Sequence, residues 1–293
     1  MNSRLCVCIP SYNHEKYIAQ CLDSVIAQKE VNDFVISVSD DCSSDSTPEI
    51  LKKYQTRYPE IIRLNLRSSN VGMVRNITEN IYSAGTDFIA LLEGDDYWAD
   101  EDKLHRQLSF LQNDETLGFV CSSQIVLEGG KQIDHIEYKQ PFRITLDDFI
   151  RKNLKVFNNT KMFRTTILPE NLPDWYYNSH LWDWLMHIFM LEKADGYYDP
   201  KPTLMYRRHE NAYISERNTI ARMNDCLVVL PHLDLRLNRK YTQIFSDTTP
   251  HFSELAVAHY KQHNFLSFLK YTLLYFSNIK NVHPRDFLWK LRH

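Results

Sequence analysis

The stretch Asp87-Phe88-Ile89-Ala90-Leu91-Leu92-Glu93-Gly94-Asp95-Asp96-Tyr97-Trp98 decides the fold. Residues 88–92 form an apolar run too short for a buried helix. They suit a strand covered on both faces, as in the middle of a parallel sheet. Three carboxylates follow, around a glycine expected to let the backbone turn. Open α/β sheets carry their ligands at the carboxyl ends of their strands. Carboxylates packed this closely raise one another's pKa unless something positive sits among them, and a divalent cation holding phosphates is such a partner. Taken alone, the tetrad fits an acidic surface turn better. The rest of the chain changes that reading.

Upstream, residues 5–9 read as a first strand ended by Pro10, and Asn13 as the cap of a helix with Ile18, Leu22, Val25 and Ile26 on one face. Residues 34–38 form a second strand running into Ser39-Asp40-Asp41-Cys42-Ser43-Ser44-Asp45. Thr47-Pro48 then marks a helix start, with a hydroxyl cap and proline at the first position. A third strand is expected at 61–66, a helix at 71–82 and the fourth strand at 87–92. This alternation predicts right-handed βαβ units and a parallel sheet. Downstream, the patterns predict a helix at 101–112, a strand at 119–127, a turn at Gly129-Gly130 and a short helix at 146–152. A long helix at 181–193 and two short strands, at 197–198 and 203–207, follow. Residues 215–293 read as helical, with breaks near Pro231, Pro250 and Pro284.

The 293 residues suffice for a sizeable core, and 43% hydrophobic with 24% charged residues is ordinary for a soluble globular chain. A net charge of -3 argues against nucleic acid as a main partner. Residues 211–293 nevertheless carry eleven basic against six acidic side chains, a basic tail on an acidic body. The six cysteines form no C-x-x-C pair and fit small buried hydrophobes in a reducing compartment. The apolar run after Arg4 is too short for a signal-peptide core, and no stretch approaches about 20 apolar residues. A cytoplasmic location is the expectation, at the inner face of the cell membrane if the tail touches lipid.

Two acidic loops follow neighbouring strands, Asp40-Asp41 and Glu93-x-Asp95-Asp96, and a polar loop spans residues 70–76. A carboxylate in the first suits a base N–H of a nucleotide, and the second suits a metal that neutralises a diphosphate. Each equally suits a helix start with favourable dipole contacts. Neither G-x-G-x-x-G nor G-x-x-x-x-G-K-[ST] is present, so phosphates would be held by metal and side chains.

Four segments, in order, resemble the signatures of family-2 glycosyltransferases. They are Val7-Cys8-Ile9-Pro10-Ser11-Tyr12-Asn13, Val38-Ser39-Asp40-Asp41-Cys42-Ser43-Ser44-Asp45-Ser46-Thr47, Asn70-x-Gly72 and Leu92-Glu93-Gly94-Asp95-Asp96. The resemblance covers residues 5 to 210, and its specificity lies in the order of the motifs. It implies an α/β fold of GT-A type, a Rossmann-like, mostly parallel sheet flanked by helices, here with a C-terminal helical region. It also implies a nucleotide-sugar donor and inversion at the anomeric carbon. By this resemblance Asp41 binds the base, usually uracil, and Pro10, Ser11, Tyr12 and Asn13 line the base and ribose. Glu15, Asn70 and Arg75 belong to the same nucleotide-sugar site. Asp96 ligates Mn²⁺ or Mg²⁺, with Glu93 and Asp95 near the ribose and donor sugar. Cys42 stands where glycine is usual, which should alter the turn more than the chemistry.

Inversion needs a general base for the acceptor hydroxyl. In the family this is an Asp opening a helix beyond the nucleotide half. Leu181-Trp182-Asp183-Trp184-Leu185 resembles that segment and nominates Asp183, with Asp174 as rival. Tyr206-Arg207-Arg208-His209 resembles a later segment, so His209 is a second expected metal ligand, and Arg207 or Arg208 offers charge to phosphate. Trp182 and Trp184 are expected to stack on the acceptor sugar, although core packing also explains such aromatics.

The expected organisation is a glycosyltransferase domain at 1–210, with a nucleotide-sugar half at 1–115 and an acceptor half at 116–210. A helical region at 211–293 completes it. There the stripe Phe265, Leu266, Phe268, Leu269, Leu273 and Phe276, with Lys261, Lys270 and Lys280 nearby, suits either packing on the body or peripheral contact with an anionic membrane. The expected reaction moves a sugar from a nucleotide-sugar, by resemblance a UDP-sugar, to a hydroxyl of a saccharide or lipid-linked saccharide acceptor in cell-surface polysaccharide synthesis. A sugar-1-phosphate nucleotidylyltransferase is the rival enzyme, but it would want a Gly-rich Arg-Lys loop where Pro10-Ser11-Tyr12-Asn13 stands. A non-catalytic nucleotide-sugar binding module is the third reading.

Overall fold

A computed structural model of the chain describes residues 4–31, 33–135, 137–209, 216–245 and 270. The chain divides into two compact units, Met1–Leu172 with Asp183–His209, and Pro173–Trp182 with Glu210–His293.

The first unit is built on strands β1 (Leu5–Ser11), β2 (Phe34–Asp40), β3 (Ile62–Leu66) and β4 (Phe88–Leu91), in the parallel order β3-β2-β1-β4. Every residue of β1 and β4 is buried, as the unbroken apolar run in β4 requires. Helices α1 (Ile18–Ile26), α2 (Thr47–Arg57) and α3 (Met73–Ser83) connect these strands. Ile18, Cys21, Leu22 and Val25 of α1 are buried, three to four residues apart, which is the spacing of one helix face.

Beyond β4 come β5 (Tyr97–Trp98), α4 (Lys103–Asn113), β6 (Leu117–Glu128), β7 (Lys131–His135), β8 (Phe142–Ile144) and α5 (Leu146–Arg151). Strand β9 (Met162–Arg164) lies antiparallel between β4 and β6. Helix α7 (Trp182–Leu191) and strand β10 (Asp195–Arg208) complete the unit, and β10 pairs parallel with β6. The sheet is thus mostly parallel, with antiparallel additions at β5, β7, β8 and β9.

Several local expectations are corrected. The two short strands expected at 197–198 and 203–207 are one strand, β10, with register shifts around Pro202. Prolines at 200 and 202 remove ladder donors without ending the strand, and Asp199 anchors the irregularity through a two-pronged pair with Arg106, at 2.6 and 2.8 Å. Asn13 does not cap α1, which starts at Ile18, after Tyr17, with no side-chain cap. Thr47 is not the cap of α2 but its first residue, after Ser46, and its N–H donates to Asp45 Oδ1 at 2.9 Å.

In the second unit, α6 (Asp174–Tyr177), α8 (Glu216–Arg236) and α9 (Thr242–Phe245) are described. Asp225 accepts from Ser179 Oγ and the His180 N–H, tying the 179–180 turn to α8. Trp175 stacks on His232 at 5.8 Å. The break expected at Pro231 does not occur: α8 runs through it. Proline fixes a helical φ, so the helix tolerates it at the loss of one N–H bond. The breaks expected at Pro250 and Pro284 fall outside the described residues, as does the whole apolar stripe from Phe265 to Phe276; of the lysines near it, only Lys270 is described. Among the described residues no helix is long and apolar enough to cross a membrane.

Candidate active site

The register Ser11↔Asp40 and Cys8↔Leu91 brings the ends of β1, β2 and β4 to one edge of the sheet. The loops that leave this edge are tied to one another. Asp40 accepts from Ser11 Oγ at 2.7 Å and from Ser43 Oγ at 2.6 Å. Asn13 accepts from the Ser44 N–H at 2.8 Å and donates its own N–H to Ser43 Oγ at 2.8 Å. Glu15 accepts from the Ser46 N–H at 3.0 Å, so its carboxylate braces the second loop. Asp41, 2% exposed, accepts from the Val71 and Gly72 N–H groups at 2.8 and 3.0 Å and thereby holds the third loop. Asn70 accepts a second bond from the same Gly72 N–H, and exposed Arg75 pairs with Glu79. Pro10 and Ser11 are buried, whereas Tyr12 presents a large exposed ring at this edge.

Cys42 has φ 62°, in the left-handed region that favours glycine. A non-glycine residue there costs about 1–2 kcal/mol, of which glycine returns a part through its own unfolded-state entropy. Cys42→Gly is expected to raise stability by about 1 kcal/mol or less with donor affinity unchanged, as read by thermal melts with and without ligand.

The acidic loop follows β4. Gly94 does not serve as a left-handed turn residue: its role is close approach. A Cβ there would stand 2.7 Å from His14 Nδ1 and 3.1 Å from the Pro10 carbonyl oxygen. Glu93, Asp95 and Asp96 each place a carboxylate oxygen within 4.8 Å of the others. Burial, reinforced by the charge of Asp95, pushes Glu93 up to about 8. The same two causes raise Asp96 well above the carboxylate range. Asp95 goes the other way. Burial would raise it, but the hydrogen bond from His209 and the nearness of His14 hold it low.

The three carboxylates have different partners. Asp96 is 1% exposed, and both oxygens are engaged: Oδ1 accepts from the Arg207 N–H at 2.8 Å and Oδ2 from Asn159 Nδ2 at 2.7 Å. Asp95 meets His209 Nε2 at 3.0 Å with Oδ2, while its buried Oδ1 has no hydrogen-bond partner. Arg207 is clamped rather than free. Its guanidinium donates to the Asp95 carbonyl and to Gln20 Oε1, between the rings of Tyr17 at 5.2 Å and Tyr97 at 4.5 Å. His209 stacks on Tyr17 at 5.0 Å. Arg208 instead reaches Glu128. An unpaired buried oxygen among crowded carboxylates, beside an imidazole, is a donor set that fits a hard divalent cation.

Asp183 lies in the first turn of α7, where its Oδ1 accepts the Trp184 N–H at 2.8 Å. Its charge adds to the rise of Glu93, less than burial and Asp95 do. Asp174 heads α6 in the second unit. Trp182 is 3% exposed and turns no free face to solvent, whereas Trp184 is half-buried and packs 6.2 Å from Phe149. Asn159, Gln20, His14, Tyr17 and Tyr97 escaped the sequence reading. Only their tertiary neighbours mark them, since none belongs to a charged cluster in the chain.

This order of strands, with an acidic cluster at its carboxyl edge, is the GT-A plan, and solved structures share it. The S. aureus TarS 1-349 structure in complex with UDP-GlcNAc superposes with a TM-score of 0.57 at 17% identity, over 94% of this chain and 92% of that one. The mannosyltransferase PcManGT from Pyrobaculum calidifontis, in complex with GDP-Man and Mn²⁺, gives 0.59 at 15% identity, over 98% and 78%. The model of glycosyl transferase family 2 matches residues 6–168, and the chain belongs to that family. Relatives include an uncharacterized protein of Mycobacterium tuberculosis, 30% identical over 68% of this chain. The matched region spans only 57% of that protein's length. The dTDP-rhamnosyl transferase RfbG of Shigella flexneri is 27% identical over 69% of this chain and 71% of its own.

Proposed function

We propose that the chain is an inverting, metal-dependent glycosyltransferase. It moves a sugar from a nucleotide-sugar to a hydroxyl of a saccharide or lipid-linked saccharide acceptor in the building of a cell-surface polysaccharide. The observation that carries this reading is the unpartnered Asp95 Oδ1 inside a buried three-carboxylate cluster, at the edge where the β1, β2 and β4 loops meet. Asp95 and His209 would lead the metal site, with Glu93 beside them. Asp96 would hold the site together by bonding Arg207 and Asn159. Mn²⁺ or Mg²⁺ bound there would offset charge on the departing diphosphate.

Asp183 would take the proton of the acceptor hydroxyl as its oxygen attacks the anomeric carbon and the bond to the diphosphate breaks. Tyr12 offers a stacking surface for the base. Asp41 keeps acceptor capacity for a uracil N3–H, because each carboxylate oxygen has a second lone pair. A UDP-sugar is the proposed donor, supported by the UDP-GlcNAc bound in the TarS structure. Trp184 is the proposed acceptor aromatic, and the basic tail supports contact with a membrane carrying the acceptor.

A thermal-shift series of nucleotide sugars with and without Mn²⁺ tests the reading. A cognate UDP-sugar at about a hundred times its Kd should add roughly 2.7 kcal/mol of stability when Mn²⁺ is present, and less without it. No shift with any nucleotide sugar, with or without cation, would overturn the proposal.

A further inference from the structure

The short helical turn Asn158–Thr160 precedes β9 and is braced from three neighbouring elements. Trp98 Nε1 donates to the Asn159 carbonyl at 3.3 Å, and Gln107 Nε2 donates to the Thr160 carbonyl at 2.8 Å. The Ser122 N–H donates to Thr160 Oγ1 at 3.0 Å. Asn159 is 6% exposed, and its Nδ2 donates to Asp96 Oδ2 at 2.7 Å, so the amide lies against the acidic cluster. The other end of that amide is unused. Asn159 Oδ1 is buried without a hydrogen-bond partner, as are both polar side-chain atoms of Asn158. Turning the Asn159 amide over would set two oxygens face to face, so Oδ1 is held pointing away from Asp96. Buried polar groups left unpaired weaken a fold, and a braced turn that keeps several of them is built for a ligand rather than for stability.

The sheet order indicates which part of a ligand this amide can meet. In the order β3-β2-β1-β4-β9, Ser11 and Asp40 end β1 and β2, on one side of β4. Strand β9 lies on the other side, and its antiparallel register, Ala90↔Met162, brings the turn before it to the carboxyl end of β4. A nucleotide with its base at the β1 and β2 loops and its diphosphate at Glu93, Asp95 and Asp96 extends its sugar toward residues 158–160. We infer that Asn159 is a specificity-determining residue for the donor, its Oδ1 accepting a hydrogen bond from an O–H or N–H on the ring of the transferred sugar. This rests on the nucleotide-sugar reading. A sugar that carries hydrogen at that ring position leaves the oxygen stranded, and a site built around such a bond rejects the poorer ligand.

Calorimetric titration in the presence of Mn²⁺ tests the inference. The probes are the nucleotide sugar that the thermal-shift series selects and analogues of it that each carry hydrogen in place of one ring substituent. The parent should bind one of these analogues about ten- to a hundredfold more weakly than the full donor. In Asn159→Ala that one preference should shrink to about threefold or less, while preferences at the other ring positions persist. Asn159→Ser retains a polar group in the turn and should level the same preference. If Asn159 only braced Asp96, both variants would weaken every donor, and the free nucleoside diphosphate, by a common factor with all preferences intact. That result would overturn the inference and leave the nucleotide-sugar reading standing, as would a parent indifferent to every analogue. If no nucleotide sugar shifts the melting of the parent, the reading fails and the Asn159 role fails with it.

Discussion

Asp183→Asn is expected to lower the transfer rate by about 10²–10⁴-fold, the usual worth of a general base, while nucleotide-sugar affinity stays close to that of the parent. Asparagine keeps an oxygen to accept the Trp184 N–H, so the first turn of α7 survives the change. What it loses is the ability to take a proton. Single-turnover rates, with donor titrations alongside, separate the alternatives. A joint fall in binding and rate would make Asp183 a donor-site residue. If neither changes, the base lies elsewhere, and Asp174 at the head of α6 is the next to replace.

The second large effect separates Asp95 from Asp96. Asp95→Asn should abolish Mn²⁺- or Mg²⁺-dependent transfer and Mn²⁺ binding, because it neutralises the carboxylate whose Oδ1 is unpartnered. Metal-free stability should change by about 1 kcal/mol or less, since lost repulsion within the cluster offsets the weakened bond to His209. Asp96→Ala should also lose transfer, by another route. It strands the Arg207 N–H and Asn159 Nδ2, and an unsatisfied buried donor costs about 1–3 kcal/mol. Relief of crowding returns part of this, but the melting temperature should still fall below that of Asp95→Asn. Calorimetric titration with Mn²⁺ and metal-free melts of the two variants decide the matter. Undiminished metal-dependent turnover in Asp95→Asn would sink the metal assignment. Equal melting temperatures would deny Asp96 its bracing role.

The parallel half of the sheet was legible because each of its strands carries its own burial signal. Residues 88–92 are apolar throughout, and β4 is buried on both faces. The loops at residues 40–45, 70–76 and 93–96 belong at one edge on sequence grounds alone, since parallel strands joined by helices put all their carboxyl ends together. Strand β9 was missed because three residues, Met162–Arg164, carry no periodicity of their own. Their conformation is set by pairing with β4 on one side and β6 on the other. Pro231 was read as a break, and β10 as two strands, because a missing donor is visible in sequence while the structure that tolerates it is not.

By itself the sequence determined that acidic loops crowd the carboxyl edge of a mostly parallel sheet, because strand burial and loop composition are properties of short segments. It did not determine how the carboxylates share their work. That Asp96 braces the loop through Arg207 and Asn159, and that Asp95 keeps a bare oxygen beside His209, were decided only by tertiary structure. The physical reason is that a side chain's charge state and free valences depend on which groups surround it after burial. Those groups come from residues 14, 20, 159, 207 and 209, far apart in the chain and joined only by the fold.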